Sequence, residues 1–414
     1  MNLAINLPSK IFQQLILSFD ERASSVARKI VRLGSSSART KSVEFDESLA
    51  QKKKNAPQKS EPVSDNAYGW ILHPVLDLLF CCGGIVWIFF VLHYFGFGAD
   101  SISKPAQVMI ALASLGAIGL SETHVMGTIA RAYKGENFEK YAPQTKIAAV
   151  ACIILAIIGC IYPVLVPVLL KIYLLFVAQH FTAQTFGLTM LYCAKRKYYL
   201  NTLEKRVLAT LMQSTMCVAV LRQLTFREWS GENLLGFALP FWGALPEWIC
   251  HAAEFVVVGA AVALLIVITN KWKTQKKIIP LPAAMIIITG VSIFLAGKNV
   301  SQTLWIYVPA LFHGSQYICI SLALHLKEKG LPEGVPPSQI SSLITEPVAL
   351  RYLGMLLIGA LVFFQLLPFL AGQIGLNSAA FAASTFAAIH FHHFITDRAI
   401  WKLRDPETRR LLVS

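Results

Sequence analysis

Residues 147–170 read IAAVACIILAIIGCIYPVLVPVLL, twenty-four residues without a charge. A helix needs about 20 such residues to cross roughly 30 Å of hydrocarbon, so this stretch alone argues for a membrane-spanning chain. Residues 255–269, FVVVGAAVALLIVIT, repeat the signal. Working outward, apolar runs predict helices over 70–96, 105–131, 147–168, 170–194, 207–226, 248–270, 278–297, 302–326, 350–372 and 376–402. The expectation is an all-α, polytopic transmembrane helix bundle of about ten spans. Pro163 and Pro167 form the break between the third and fourth, which predicts a tight hairpin there.

Composition agrees with that class: 55% of residues are hydrophobic and only 14% charged, too apolar for an ordinary soluble domain. The net charge of +14 lies in short segments between the runs, so it reads as an orientation signal and not as a nucleic-acid patch. Lys195, Arg196, Lys197, Lys205 and Arg206 follow the fourth span, Lys271, Lys273, Lys276 and Lys277 the sixth, and Lys402, Arg404, Arg409 and Arg410 the tenth. By the positive-inside rule both termini are cytoplasmic, in a bacterial inner membrane or a comparable one.

Three regions follow. Residues 1–64 are polar and rich in Ser and Lys, read as a partly disordered cytoplasmic extension; Ile11–Leu33 has apolar residues at helical spacing, suited to a membrane surface, with a disordered tail or a targeting segment as alternatives. Residues 65–404 form the transmembrane domain and 405–414 a short cytoplasmic tail. Segment 227–247, with Pro240, Trp242, Gly243 and Pro246, reads as a membrane-surface loop. Eight scattered cysteines without a C-x-x-C pair indicate neither a zinc cage nor a disulfide framework.

Ionisable side chains inside a span cost a few kcal/mol and mark sites. His73 and Asp77 open span one, Glu122 and His124 lie in span two, His180 and Gln184 in span four, His313 and Tyr317 in span eight, and His390, His392, His393 and Asp397 in span ten. Many are four apart, one helical turn, the spacing that lets a carboxylate or amide orient an imidazole. The expected metal ligands are His124, His180, His313, His390 and His393. His392 points about 100° away from His393 and is held in reserve. His73, Asp77, Glu122, Gln184, Tyr317 and Asp397 are expected as additional ligands or orienting partners. His93, His251 and His325 fall at span ends and read as interfacial.

Imidazoles with a few carboxylates suit iron or zinc, and histidine sites with open positions suit non-heme iron that activates oxygen. The leading expectation is an iron-dependent membrane oxidoreductase, with one or two irons, acting on a hydrophobic lipid or isoprenoid. Its partners are the bilayer, that hydrophobic small molecule and an electron-donor protein. Heme or zinc are alternative cofactors. A heme- or pigment-binding protein and a proton- or ion-coupled transporter are alternative functions.

His390-Phe391-His392-His393 resembles one histidine box of the membrane fatty-acid desaturases and hydroxylases, a resemblance that implies iron-dependent oxidation of a lipid by a two-iron site. His73-Pro74-Val75-Leu76-Asp77, His180-Phe181 and His313-Gly314 are similar to fragments of the Brp/Blh family of membrane carotene-cleaving dioxygenases. That second resemblance implies one iron held by isolated histidines from several spans.

Overall fold

The computed structural model describes residues 69–93, 104–133, 135–229, 233–295, 302–329, 337–401 and 405–413. The extension 1–64, with its Ile11–Leu33 segment, lies outside the described residues.

The described chain is almost wholly helical. In order it forms α1 (Pro74–Cys81), α2 (Gly84–Leu92), α3 (Lys104–Gly116), a π-helical turn (Ala117–Glu122), α4 (Thr123–Ala132), α5 (Gly135–Ile161) and α6 (Val166–Lys195). Next come α7 (Thr202–Thr225), a two-strand hairpin (Asn233–Leu234 with Phe237–Ala238), α8 (Glu247–Gln275), α9 (Leu281–Leu295) and α10 (Gln302–Glu328). Last are α11 (Pro347–Leu361), a further π-helical turn (Val362–Leu366), α12 (Leu367–Gln373), α13 (Ser378–Ile400) and α14 (Pro406–Val413).

Each of the ten expected windows therefore holds helix. By length and composition five stretches qualify to cross a membrane, namely Pro143–Ile161, Pro163–Lys195, Thr202–Thr225, Glu247–Gln275 and Pro347–Gln373. The first window is not one straight span. Gly83 takes φ 83° and the chain turns by 56° between α1 and α2. A side chain at Gly83 would run into Thr289 and Phe312, so glycine is required for its conformation and for its space.

Helix α5 shows how the exterior is made. Ile147, Val150, Ile154, Ile157 and Ile161, spaced three or four apart, are exposed, while Ala148, Cys152 and Gly159 on the opposite side are buried. Apolar outside and small inside is the pattern of helices packed in lipid, where close backbone approach drives association instead of water exclusion. Helix α13 packs against α5, and its own buried residues at Ala380, Ala383 and Ala387 let it come near. Helix α13 also meets α4 and α6, and α10 lies against α1, α4 and the first π-helical turn. Four helices thus converge around one interior region: α4, α6, α10 and α13.

Many polar groups inside are satisfied within one helix or between neighbouring ones. Thr182, Thr185 and Thr189 return their hydroxyls to the carbonyls of Ala178, Phe181 and Thr185, as threonine does in apolar helices. Arg222 pairs with Glu254 at 2.8 Å and donates to the carbonyl of Phe294 at 2.7 Å. Lys271 pairs with Glu204 at 2.7 Å. Pro163–Leu165 forms the tight turn between α5 and α6. Within segment 227–247, Arg227–Trp229 forms a short 3₁₀ turn and Asn233–Leu234 pairs with Phe237–Ala238, with Leu234, Phe237 and Leu239 packed on the cluster around Val166 and Leu169. Helix α14 docks by its last carbonyls, Lys195 donating to Leu412 at 3.2 Å and Lys327 to Leu411 at 2.7 Å.

Candidate metal centre

One histidine from each converging helix meets in the interior: His124 from α4, His180 from α6, His313 from α10 and His393 from α13. All four are buried, and one ring nitrogen from each lies within 4.8 Å of the others. Nε2 of His393 stands 3.1 Å from Nε2 of His124 and 2.9 Å from Nε2 of His180. The ring of His313 closes the group from the other side, its centroid 4.8 Å from that of His124 and 4.7 Å from that of His180.

Local backbone features produce the convergence. The π-helical turn Ala117–Glu122 adds one residue per turn ahead of His124, and such turns recur at functional positions. Gly314 presses against that turn: a Cβ there would lie 2.7 Å from the carbonyl oxygen of Leu120. No other residue fits, and the close approach sets His313 beside His124. Gly127 does the same one turn on, since a Cβ would meet the Tyr317 ring at 3.0 Å.

A hydrogen-bonded chain reaches His393 through Thr128. Asp397 Oδ1 accepts from the Thr128 hydroxyl at 2.6 Å and from Tyr317 at 3.1 Å. Thr128 Oγ1 lies 2.7 Å from Nδ1 of His393. A hydroxyl has one proton; with Asp397 ionised, Thr128 gives it to the carboxylate, while its oxygen also meets the Tyr317 hydroxyl. Nδ1 of His393 is then the donor to Thr128, and Nε2 carries a lone pair aimed at the other histidines. Trp401 donates to Tyr317 at 3.0 Å and completes the chain. A ligand imidazole whose far N–H is held by a carboxylate network is the arrangement seen around bound metals. The second oxygen of Asp397 lies 3.5 Å from Nε2 of His393 and 3.9 Å from Nε2 of His180.

The lone pair of His393 can accept one proton, from His124 or from His180, and not from both. Neither ring nitrogen of buried His313 has a hydrogen-bond partner among the described residues. Buried polar atoms left unpaired cost about 1–3 kcal/mol each. A cation among the four rings would take one nitrogen from each, including one of the two on His313. Bonds of about 2.0–2.1 Å from one ion set adjacent nitrogens about 2.8–3.4 Å apart, which holds the 3.1 and 2.9 Å spacings of His393 to His124 and His180, while a pair as far apart as 4.8 Å would close in on binding. The four histidines can hold a metal ion.

The remaining expected site residues lie elsewhere. His390 is one turn before His393 but donates Nδ1–H to the carbonyl of Phe386 at 2.8 Å, its ring among Tyr173, Phe364 and Phe386. Three residues put about 60° and 4.5 Å between it and His393, enough to carry it out of the group. His392 bonds Tyr133 at 2.9 Å. Gln184 bonds the carbonyl of His313 at 3.0 Å and Gln316 at 2.9 Å, which braces α10 and leaves the imidazoles untouched. Glu122 bonds Gln365. His73 caps α1 by accepting from the Val75 amide at 3.2 Å. Asp77 accepts from the amides of Ile71 and Leu72 and from Tyr192, so it organises the chain leading into α1. Tyr317 and Asp397 take the orienting places described above.

Thr128 carries no distinguishing mark in the sequence. It follows His124 by four residues, the same spacing that marks the other pairs, but threonine is common in apolar helices and the spacing alone does not set it apart. Trp401 stands in the run Asp397-x-x-Ile400-Trp401, whose spacing does not tie it to Tyr317. Comparison with protein-family models, with curated proteins and with solved structures finds no match to this chain.

Proposed function

We propose that this chain is an integral membrane metalloenzyme in which His124, His180, His313 and His393 hold a single iron, working as a non-heme oxygenase on a hydrophobic substrate drawn from the bilayer. The observation that carries this reading is the convergence of four buried imidazoles from four helices, with Thr128 beside Nδ1 of His393 and hydrogen-bonded to Asp397. On this reading all ten helical windows lie in the membrane and both termini lie on the cation-rich side.

Four imidazoles with no thiolate suit iron and leave coordination positions for oxygen and substrate. When bound, that iron supplies the oxygen-activating chemistry. The protein's own part is to keep the rings neutral, fix their directions and exclude water. Thr128 and Asp397 do the second. The surrounding Phe181, Phe312 and Phe394 rings do the third. A recess of about 10 Å³, lined by Phe181, Thr185, Gly290, Phe312 and Gln316 among others, adjoins His313, about the least space that holds one water-sized molecule.

Among the described residues there is one such histidine group. That accords with the one-iron membrane carotene dioxygenases better than with the two-iron desaturases. A dioxygenase puts both oxygen atoms into product and draws no outside electrons, whereas a hydroxylase takes two from a partner protein. A heme reading fits poorly, because ring centroids 4.6–4.8 Å apart leave no gap for a macrocycle.

The test is anaerobic loading of the purified protein with Fe(II), followed by nitric oxide and electron paramagnetic resonance. An iron–nitrosyl signal demonstrates an open position and supports the proposal. Full metal occupancy with no nitrosyl adduct, or a preference for zinc, marks a closed structural centre and overturns it.

A further inference from the structure

A chain of aromatic contacts runs from the histidine group to the ends of α4, α10 and α13, further than orienting His393 requires. The ring of buried Tyr317 has its centroid 5.3 Å from that of His124 and 5.6 Å from that of His393. Trp401, at the C-terminal end of α13, meets Tyr317 edge to face at 5.3 Å and donates its indole N–H to the Tyr317 oxygen at 3.0 Å. Trp401 is itself half-buried, so one part of its ring reaches the surface. The Arg131 guanidinium lies 5.0 Å over the indole and pairs with Glu328 at 2.6 Å. The cation holds the ring in place, and Glu328 offsets its charge.

Indole and phenol rings can give up a single electron and regain it with their skeletons intact. A phenol does so readily only where its proton has an acceptor. Tyr317 has two, Asp397 Oδ1 at 3.1 Å and the Thr128 oxygen at 2.5 Å. The buried network thus gives the phenolic proton a place to go and to return from. Phe181 and Phe394 also adjoin the histidines, but a phenyl ring has no hydroxyl and does not release an electron in this way.

We infer that Tyr317 and Trp401 form a route for single electrons from the surface to the metal centre, which discharges the oxidant left there when dioxygen reacts with no substrate in place. The inference rests on the oxygenase reading for the source of that oxidant. In the first step one electron passes from the Tyr317 ring to the oxidant, and the phenolic proton moves along its hydrogen bond to Asp397. In the second, one electron passes from Trp401 to the Tyr317 radical and the proton returns. A soluble reductant, a thiolate or an enediol, then gives one electron to the indole at its exposed edge. The net change is one electron from the reductant to the centre, with both rings restored and no proton lost.

The test uses metal-free, full-length protein in detergent, so its result does not depend on whether iron binds; iron content decides that reading separately. A soluble ruthenium(III) complex, generated by flash and quench, oxidises the protein from outside, and the frozen sample is read by electron paramagnetic resonance. Tyr317 is too deep for the complex to touch, so the part of the tyrosyl signal that Y317F removes reports electrons drawn through the protein. W401F should remove that same part. W401Y, whose ring can itself be oxidised, should keep it, and so should Y173F, since Tyr173 stacks on Phe394 outside the route. A signal that Y317F does not diminish, or one that W401F leaves intact, overturns the inference. Helical circular dichroism shows whether each variant is folded; if W401F is not, wild type against Y317F and W401Y decides between the same outcomes.

Discussion

Thr128→Val removes a hydroxyl while keeping the shape of the side chain. In the structure that hydroxyl is fully buried, donates to Asp397 at 2.6 Å and receives Nδ1 of His393 at 2.7 Å. The variant leaves the His393 N–H without an acceptor and takes one of two side-chain donors from Asp397 Oδ1. An imidazole so freed can rotate or present the wrong tautomer. Losing such an outer contact typically costs 10- to 100-fold in metal affinity, equivalent to about 1.4–2.7 kcal/mol. The metal-free protein loses about 1–3 kcal/mol of stability from the unpaired groups. Thr128→Ser, which restores the hydroxyl, should recover most of the affinity. Competition for Fe(II) against a chelator measures the first effect and thermal unfolding of metal-free protein the second. A Val variant with affinity within twofold of wild type would show that the His393 tautomer is set by something other than Thr128.

Other substitutions reach other parts of the structure. Gly314→Ala drives a methyl into the carbonyl of Leu120; overpacking of that kind costs about 1–3 kcal/mol, and both thermal stability and metal affinity should fall. Lys271→Ala leaves Glu204 buried without its cation and should destabilise by about 3–5 kcal/mol, with partial recovery in the K271M/E204Q double variant, read by denaturant unfolding in detergent. His390→Ala and His392→Ala should bind metal at the wild-type stoichiometry, since their rings bond Phe386 and Tyr133 instead of the centre. Gly83→Ala should lower stability by more than an ordinary helix substitution, because φ 83° and the contacts with Thr289 and Phe312 both oppose a Cβ.

Much of the helical layout was legible because hydrocarbon thickness imposes a length on apolar runs, and prolines 163 and 167 mark a hairpin that is present. The bend at Gly83 was not, since Cys82-Gly83-Gly84 interrupts neither the apolar run nor its length. Four of the five histidines expected as ligands meet in one group. The fifth, His390, has the most suggestive neighbours in sequence of them all. Sequence spacing says which residues share a face of one helix; it does not say which helices adjoin that face. Helix α13 turns His393 toward α4, α6 and α10 and His390 toward Tyr173 and Phe364, and only the packing decides that. Position 128 illustrates the same limit. Its partners are 265 and 269 residues away, and the π-helical turn at 117–122 rotates everything after it relative to an uninterrupted helix over 105–131.

Whether four histidines from four helices hold one metal ion is decided by metal quantification on purified wild type and on the single variants H124A, H180A, H313A, H393A and H390A. The expected outcome is one iron per wild-type chain, its loss or severe weakening in each of the first four variants, and its retention in H390A. A wild-type protein that takes up no metal, or a metal that stays at full occupancy without His313 and leaves without His390, would overturn the four-histidine centre.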